Sequence, residues 1–453
     1  MFPIRVLPIR SSSVRFQGEG GGGSGSSREP YQKAIVRIES DPEAEASLQL
    51  ASQALSQSHL VAFPTETVYG LGANALDEKA ALKIFKAKGR PVDNPLIVHI
   101  SDMDMLDKLV PDGYQMNQAY RTLVSKFWPG AMTLLFPVDE AKVPSVTRCG
   151  LKTLGVRMPS HPVARALIAA SGLPLAAPSA NASGRPSPTT AMHVFHDMTS
   201  RIDGQIQGRL PYIIDGGPCH VGVESTVIDG VTDSGELRIL RPGGIGVEAV
   251  EEALREKNLL RDPDGSSVCD SSAVALRVYG KDLKRSEADL AAPTTPGMKY
   301  RHYSPDAEVV LLVDASGRDG GEGFAQPLKP ALSPQDTVSL FSSQRSDTSA
   351  NKLCIGLMSL DDSGLTSALL STSKGHHHPY TLRHFSLGSR VNPEQAAQRL
   401  FEGLRALDEG ENEDGSDRCD VIFVEAPNDD AGVGLAVMNR LQKAASSVLY
   451  ITL

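Results

Sequence analysis

The sequence predicts an α/β protein in two parts: a twisted, open mixed sheet with helices over about 31–260, and a smaller Rossmann-like α/β domain over 306–453. Three observations carry this. Between Glu43 and Arg255, short apolar runs alternate irregularly with amphipathic helical segments, the pattern of a mixed-sheet domain. From Val309 the alternation becomes a βαβ series, which reads as a parallel sheet. Between the two lies 261–305, whose polar, Pro-punctuated composition reads as a linker.

Glu43–Gln57 is an amphipathic helix carrying Ala46, Leu48, Leu50, Ala51 and Leu55. Val61–Phe63 is a short apolar strand, ended by Pro64, which cannot donate to a ladder. Gly70 and Gly72 then let the chain turn tightly or approach a ligand closely. Asp77 is a plausible N-cap for a helix with Ala81, Leu82 and Phe85 on one face, and Gly89 stops it. Leu96–Ile100 is a buried-strand candidate. Met105–Leu109 and Tyr114–Phe127 are helical, with Trp128-Pro129-Gly130 as the breaker. Ala131–Val138 and Lys152–Met158 read as strands, His161–Ser171 as a helix ended by Gly172, and Leu173–Ala177 as a strand. Pro178–Pro188 is a long polar loop. Tyr212–Asp215, Val227–Asp229 and Leu237–Leu240 are further strands, and Val247–Arg255 a helix. In the second part Val309–Val313, Leu353–Met358, His384–Leu387 and Val421–Glu425 are strands; Asn392–Asp408 and Gly434–Ser446 are helices. The polar stretches 314–350 and 409–417 have the composition of disordered insertions.

Composition narrows the function classes. Of 453 residues 40% are hydrophobic and 22% charged, and no apolar run reaches a membrane-spanning length, which sets a membrane partner aside. The five cysteines are widely spaced without a CxxC pair, which argues against a disulfide framework or zinc cluster and fits a reducing compartment, a cytoplasmic one. The net charge of −9 sits in residues 306–453, which hold 12 Lys+Arg and 21 Asp+Glu, so the first part is neutral and any anion site must be local to it. Residues 1–30 read as a disordered tail. Residues 1–18, with Arg5, Arg10, Arg15, serines and no acid, have the composition of a mitochondrial transit peptide as well as of a plain tail. Three adjacent histidines, His376–His378, cannot all face one ion and read as an exposed loop.

The chemistry concentrates in two stretches. Phe63–Ile100 joins the hydroxyls and carboxylate of Thr65-Glu66-Thr67 to Lys86, Lys88 and Arg90 and then to Asn94 and His99. That is the inventory of an anion site, although cations after a helix stop also complement its dipole. Pro178–Pro188 adds serines and an asparagine, and Glu224-Ser225-Thr226 and Arg241-Pro242-Gly243-Gly244 make tight polar turns.

Together PTETVYGLG, KAKGRPVDNPLIVHI, WPGAMTLLF, VRMPSHPVA, PLAAPSANASGRPSPT, VESTVID and ILRPGG closely resemble the YrdC/Sua5 family over about 31–255. PGMKYRHYSP and VGLAVMNRLQKAAS resemble the linker and C-terminal domain of its long Sua5 form. The resemblance implies a YrdC-like fold with a concave basic cavity and a threonylcarbamoyl-AMP synthase. Such a nucleotidyltransferase takes L-threonine, bicarbonate or CO2, and ATP, and releases pyrophosphate. Its product goes to the tRNA threonylcarbamoyl transfer machinery that makes t6A beside the anticodon of ANN-decoding tRNAs. The reaction needs alignment and charge neutralisation rather than a covalent nucleophile.

By resemblance Lys88, Arg90, Ser179 and Asn181 form the catalytic tetrad; Asn94, Thr153, Ser187 and Arg241 line the ATP site with them; Thr67, His99, Arg157, Ser225 and the backbone of Ala177 hold threonine. Arg157 suits the amino-acid carboxylate as a bidentate partner. Tyr303, within 261–305, turns that linker into a lid over the nucleotide. Read alone, Arg157 is equally a strand salt bridge, His99 a core histidine, and Ser225 and Arg241 turn residues. Mg2+ follows only from the triphosphate, since no carboxylate cluster marks a metal site. Two other classes share the fold or its cavity: a carbamoyl-transfer maturation factor, disfavoured by the missing CxxC array, and a non-catalytic double-stranded RNA- or ribosome-binding protein, for which the neutral first part allows only weak tRNA contact.

Overall fold

The structure is a computed structural model. It describes residues 3–16, 33–202, 205–232, 235–261, 272–279, 302–314, 353–364, 366–367, 380–410, 417–427 and 432–451. The chain divides into two compact units, Met1–Ser183 with Ser187–Tyr300, and Gly184–Pro186 with Arg301–Leu453.

The first unit is built on an eleven-stranded mixed sheet. Its spatial order is Arg5–Pro8, Tyr212–Asp215, Val61–Phe63, Gly70–Asn74, Leu175–Ala176, Val98–His99, Thr153–Arg157, Met132–Pro137, Thr226–Asp229, Glu236–Arg241 and Ala275–Val278. The central strands bury both faces, so they read in sequence as continuous apolar runs rather than alternations. Helices form where caps and apolar stripes coincide. Asp41 accepts from Ala44 N (3.0 Å) and starts Pro42–Ser56. Asp77 accepts from Lys79 N (2.9 Å) and starts Glu78–Lys88, which Gly89 ends in the left-handed conformation. Asn117 caps Tyr120 N (2.7 Å), so the next long helix is Gln118–Phe127 and begins later than its apolar pattern suggests.

Several expectations need correction. The fold begins well before Tyr31: Arg5–Pro8 pairs in parallel with Tyr212–Asp215, and Val14–Phe16 pairs with Val36–Ile38. Leu7, Ile9 and Val14 are buried, and Phe16 lies under the Arg165 guanidinium, 4.2 Å from its ring centroid. Residues 261–305 are not only linker, because Ala275–Val278 extends the sheet beside Glu236–Arg241. Gly70 and Gly72 lie in a strand rather than a turn. A Cβ at Gly72 would sit 2.7 Å from Phe63 Cε1, so glycine is required there by the neighbouring strand. Leu82 is exposed, while Ala81, Ile84 and Phe85 make the buried stripe. A hairpin, Thr199–Ile202 with Gln205–Gly208, went unread because its residues are polar.

The second unit holds a five-stranded, all-parallel sheet in the order Tyr380–Ser386, Leu353–Ser359, Val421–Glu425, Glu308–Asp314, Ser447–Ile451. Pro393–Glu409 and Gly434–Ala444 are its long helices. The cysteines that can be described, Cys149, Cys219, Cys354 and Cys419, are free. Among the described residues no helix is long and apolar enough to cross a membrane. The stretches 17–32, 280–301, 315–352 and 411–416, and with them His376–His378, lie outside the described residues.

Removing residues 1–16 strips three buried apolar side chains from the first unit, each worth about 1.5–3 kcal/mol. The truncated protein should unfold at clearly lower denaturant concentration. An unchanged midpoint would show the segment to be a dispensable tail.

Candidate active site

The helix Glu78–Lys88 delivers Lys88 into the interior, where the residue is 4% exposed. Nζ donates to Ser179 O (2.5 Å) and Asn181 O (2.5 Å) and lies 3.3 Å from Asn181 Oδ1. Ser183 N donates back to Lys88 O (2.9 Å). The same loop is stitched to the strand region before the helix: Leu71 N to Pro178 O (2.8 Å), Ala180 N to Tyr69 O (2.8 Å) and Tyr69 N to Pro188 O (2.8 Å). Lys88, Ser179 and Asn181 therefore come together as anticipated. Arg90 lies beyond the helix stop and folds onto its own loop, Nε and Nη2 donating to Asn94 O (3.2 and 3.1 Å) and Nη2 also to Pro95 O (3.2 Å). Asn94 is buried, and its Oδ1 has no hydrogen-bond partner.

Arg157 ends the strand Thr153–Arg157, opposite His99. Nε donates to Gly130 O (3.0 Å), Nη1 to Thr67 Oγ1 (2.8 Å), and Nη2 lies 2.5 Å from Glu66 Oε1. Thr67 Oγ1 is 2.8 Å from Thr65 Oγ1, which donates to Val68 O (2.6 Å). Ala177 N reaches Ile97 O (2.9 Å) beside this group. His99 is packed edge-on to Phe63, and its Nδ1 has no partner. Burial, then the Arg157 charge, pushes the imidazole down to about 3. His161, 4% exposed, is pushed down to about 4, mainly by burial. Both rings are neutral near neutral pH.

Ser225 belongs to a third group. Its Oγ is 2.8 Å from Thr133 Oγ1, and Arg241 Nη2 donates to Ser225 O (2.9 Å) and reaches Ser225 Oγ (3.3 Å). Thr226 N donates to Ala131 O (2.9 Å), next to the Gly130 carbonyl that Arg157 uses. Ser187 donates to Glu224 Oε1 (2.6 Å). Gly243 lets this turn close, since a Cβ there would lie 2.3 Å from Ser225 C.

Two expected members have other surroundings of their own. Thr153 is half-buried at the far end of the strand from Arg157, opposite Pro137. Tyr303 belongs to the second unit, where its ring packs on Phe401 (5.2 Å between centroids) with the Arg440 guanidinium 6.0 Å from it. Sequence reasoning assigned no role to Glu66, Thr133, Glu224 or His161. Glu66 and Glu224 were visible as carboxylates beside the chosen hydroxyls, but their partners lie far off in the chain.

Residues 53–243 match the Sua5/YciO/YrdC family model, described as telomere recombination, and residues 245–446 match the threonylcarbamoyl-AMP synthase C-terminal domain. The threonylcarbamoyl-AMP synthase of Schizosaccharomyces pombe is 38% identical over 445 residues, covering 94% of each chain. The chain belongs to the threonylcarbamoyl-AMP synthase family. It has the two-domain Sua5 form, and the family is one of nucleotidyl-transferring enzymes. The Bacillus subtilis synthase is 39% identical, covering 87% of this chain and 92% of its own. Pyrococcus abyssi Sua5, solved in complex with L-threonine, superposes with a TM-score of 0.66 at 35% identity, covering 92% of this chain and 97% of its own.

The buried neutral His99 makes stability depend on pH. Unfolded, the ring has its ordinary value of 6.5; folded, about 3. Between these values the unfolded chain binds the extra proton, so the stabilisation is present above pH 6.5 and is lost as pH falls. At pH 4 the loss from this one residue is on the order of 3 kcal/mol. Denaturant titrations at pH 7 and pH 4 should show a smaller drop for His99→Gln than for the wild type. Equal drops would mean that His99 takes up its proton in the folded state.

Proposed function

We propose that the first unit condenses L-threonine, bicarbonate or CO2, and ATP into L-threonylcarbamoyladenylate and pyrophosphate. The observation that carries the residue assignment is that buried cations bond to polar loops: Lys88 to the Ser179 and Asn181 carbonyls, Arg241 to the Ser225 carbonyl, and Arg157 to the Thr67 hydroxyl. Threonine's carboxylate pairs with Arg157, and Thr67, Ser225, His99 and the Ala177 backbone enclose the side chain. The amine, once converted to a carbamate, attacks the α-phosphate of ATP. Arg90, Asn94, Thr153, Ser187 and Arg241 hold the nucleotide. Lys88 and Arg90 neutralise charge that builds on the phosphates as pyrophosphate leaves, while Ser179 and Asn181 fix the loop against them.

Magnesium would arrive with the triphosphate and supply charge neutralisation there. Among the described residues, the one cluster of metal-ligating side chains contains none of the nucleotide-binding residues named here. Tyr303 as a lid over the nucleotide belongs to this same reading. The product passes to the tRNA-modifying machinery. The setting is cytoplasmic; a mitochondrial share directed by the N-terminus would require Arg5–Pro8 to leave the sheet.

The test is pyrophosphate release from ATP and bicarbonate with each amino acid in turn. Threonine alone should support it strongly, and release that ignores threonine would sink the reading. Arg90→Ala should lower release at least 100-fold with the circular dichroism unchanged, the scale expected for a charge-stabilising group in phosphoryl chemistry. Near-normal release would remove Arg90 from the site.

A further inference from the structure

We propose that Glu66 recognises the α-ammonium of the amino-acid substrate, so that Glu66 and Arg157 together select a zwitterion. This rests on the reading of Arg157 as the partner of the substrate carboxylate.

Glu66 sits in a turn locked by its neighbours. Thr65 Oγ1 accepts from Thr67 N and Val68 N (3.2 Å each) and donates to Val68 O, which leaves Thr67 as the donor in the Thr65–Thr67 contact. Thr67 can therefore accept from Arg157 Nη1, and the chain of bonds runs one way from guanidinium to backbone. Val221 N donates to Glu66 O (2.8 Å) and pins the residue from the other side. The backbone at Glu66 is thus held in place, and the residue is 7% exposed.

Its carboxylate is incompletely satisfied. Oε1 makes an ion pair with Arg157 Nη2 at 2.5 Å, but neither oxygen receives a well-aligned hydrogen bond. A carboxylate has about four acceptor positions, and leaving them empty in a desolvated site is costly. A group present only to neutralise Arg157 would be expected to take the guanidinium as a two-pronged fork. Here the fork is divided between Gly130 O, Thr67 Oγ1 and a single carboxylate oxygen. An ammonium brings three donors and one positive charge. An α-amino acid offers that ammonium beside a carboxylate, the inverse of the Glu66–Arg157 arrangement, so binding leaves the buried site neutral.

The test is calorimetric titration of the full-length protein with L-threonine and with 3-hydroxybutanoate, which is threonine without its amine. For Glu66→Gln, threonine should bind about 10- to 100-fold more weakly, the range for a lost charge-assisted bond, while 3-hydroxybutanoate binds as before. Equal weakening of both ligands would show that Glu66 only props Arg157, and no weakening would show that it does not face the substrate; either overturns the proposal. Glu66→Asp keeps the charge beside Arg157 but withdraws it by one methylene, and covers the case in which the Gln variant does not fold. Its threonine affinity should fall at least 5-fold, selectively, and wild-type affinity would overturn the proposal. A wild-type protein that binds no threonine would instead refute the function reading, without involving Glu66.

Discussion

A buried ammonium must be surrounded by acceptors, and Lys88 meets that requirement with the backbone of a loop. The carbonyls of Ser179 and Asn181 have few other ways to be satisfied, because the segment is broken by Pro178, Pro186 and Pro188 and forms little regular structure. The cation therefore organises the loop as much as the loop buries the cation. Once this contact exists, the side chains of Ser179 and Asn181 are carried on a backbone tied at one end to the helix terminus and along its length to Tyr69 and Leu71. Replacing the lysine would leave two carbonyls unpaired and release both elements together, which is why its effect on chemistry cannot be separated from its effect on geometry.

The same logic extends across the site through backbone carbonyls. Arg157 uses Gly130 O, Arg241 uses Ser225 O, and Arg90 uses Asn94 O. Each of these carbonyl contacts positions its cation without itself cancelling the charge, although Arg157 is also paired with Glu66. Such cations cost little rearrangement when an anion arrives, the condition under which electrostatic stabilisation of a transition state is most effective. Glu66 and Glu224 are the exceptions, and they are placed unequally: Glu66 meets a guanidinium, whereas Glu224 accepts from a serine hydroxyl.

How much of this was legible depends on whether the determining partner is near in sequence. The helix Glu78–Lys88 and its cap and stop were readable because Asp77, the apolar stripe and Gly89 are local. The site cations and hydroxyls were recognisable as residue types in family motifs. Their partners were not, since Thr133 meets Ser225 and Glu66 meets Arg157 only once the strands are assembled. The N-terminal strand was hidden for a similar reason. Basic and Ser-rich composition outweighed a short apolar pattern whose strand character comes from pairing with Tyr212–Asp215. Gly72 shows the converse error: the glycine was noticed, but its cause is the Phe63 ring on the next strand, not a turn or a ligand.

The distribution of buried charge argues for two kinds of ligand side by side. Among the site residues, Lys88, Arg90, Arg157 and Arg241 are buried cations and Glu66 and Glu224 buried carboxylates, so positive charge is in excess. The excess is not uniform. Around Arg157 the ion pair with Glu66 is already neutral, and His99 and His161 are kept neutral by burial, so a second net charge of either sign would be poorly compensated there. Around Lys88 and Arg90 two buried cations stand within one helix end and the loop after it, with the carbonyls of Ser179, Asn181 and Asn94 among their partners. A polyanion is matched to the second environment and mismatched to the first; a zwitterion is matched to the first and gains little from the second. A synthase that must align an amino acid with a triphosphate requires that asymmetry, because it keeps each substrate out of the other's place before any bond is made.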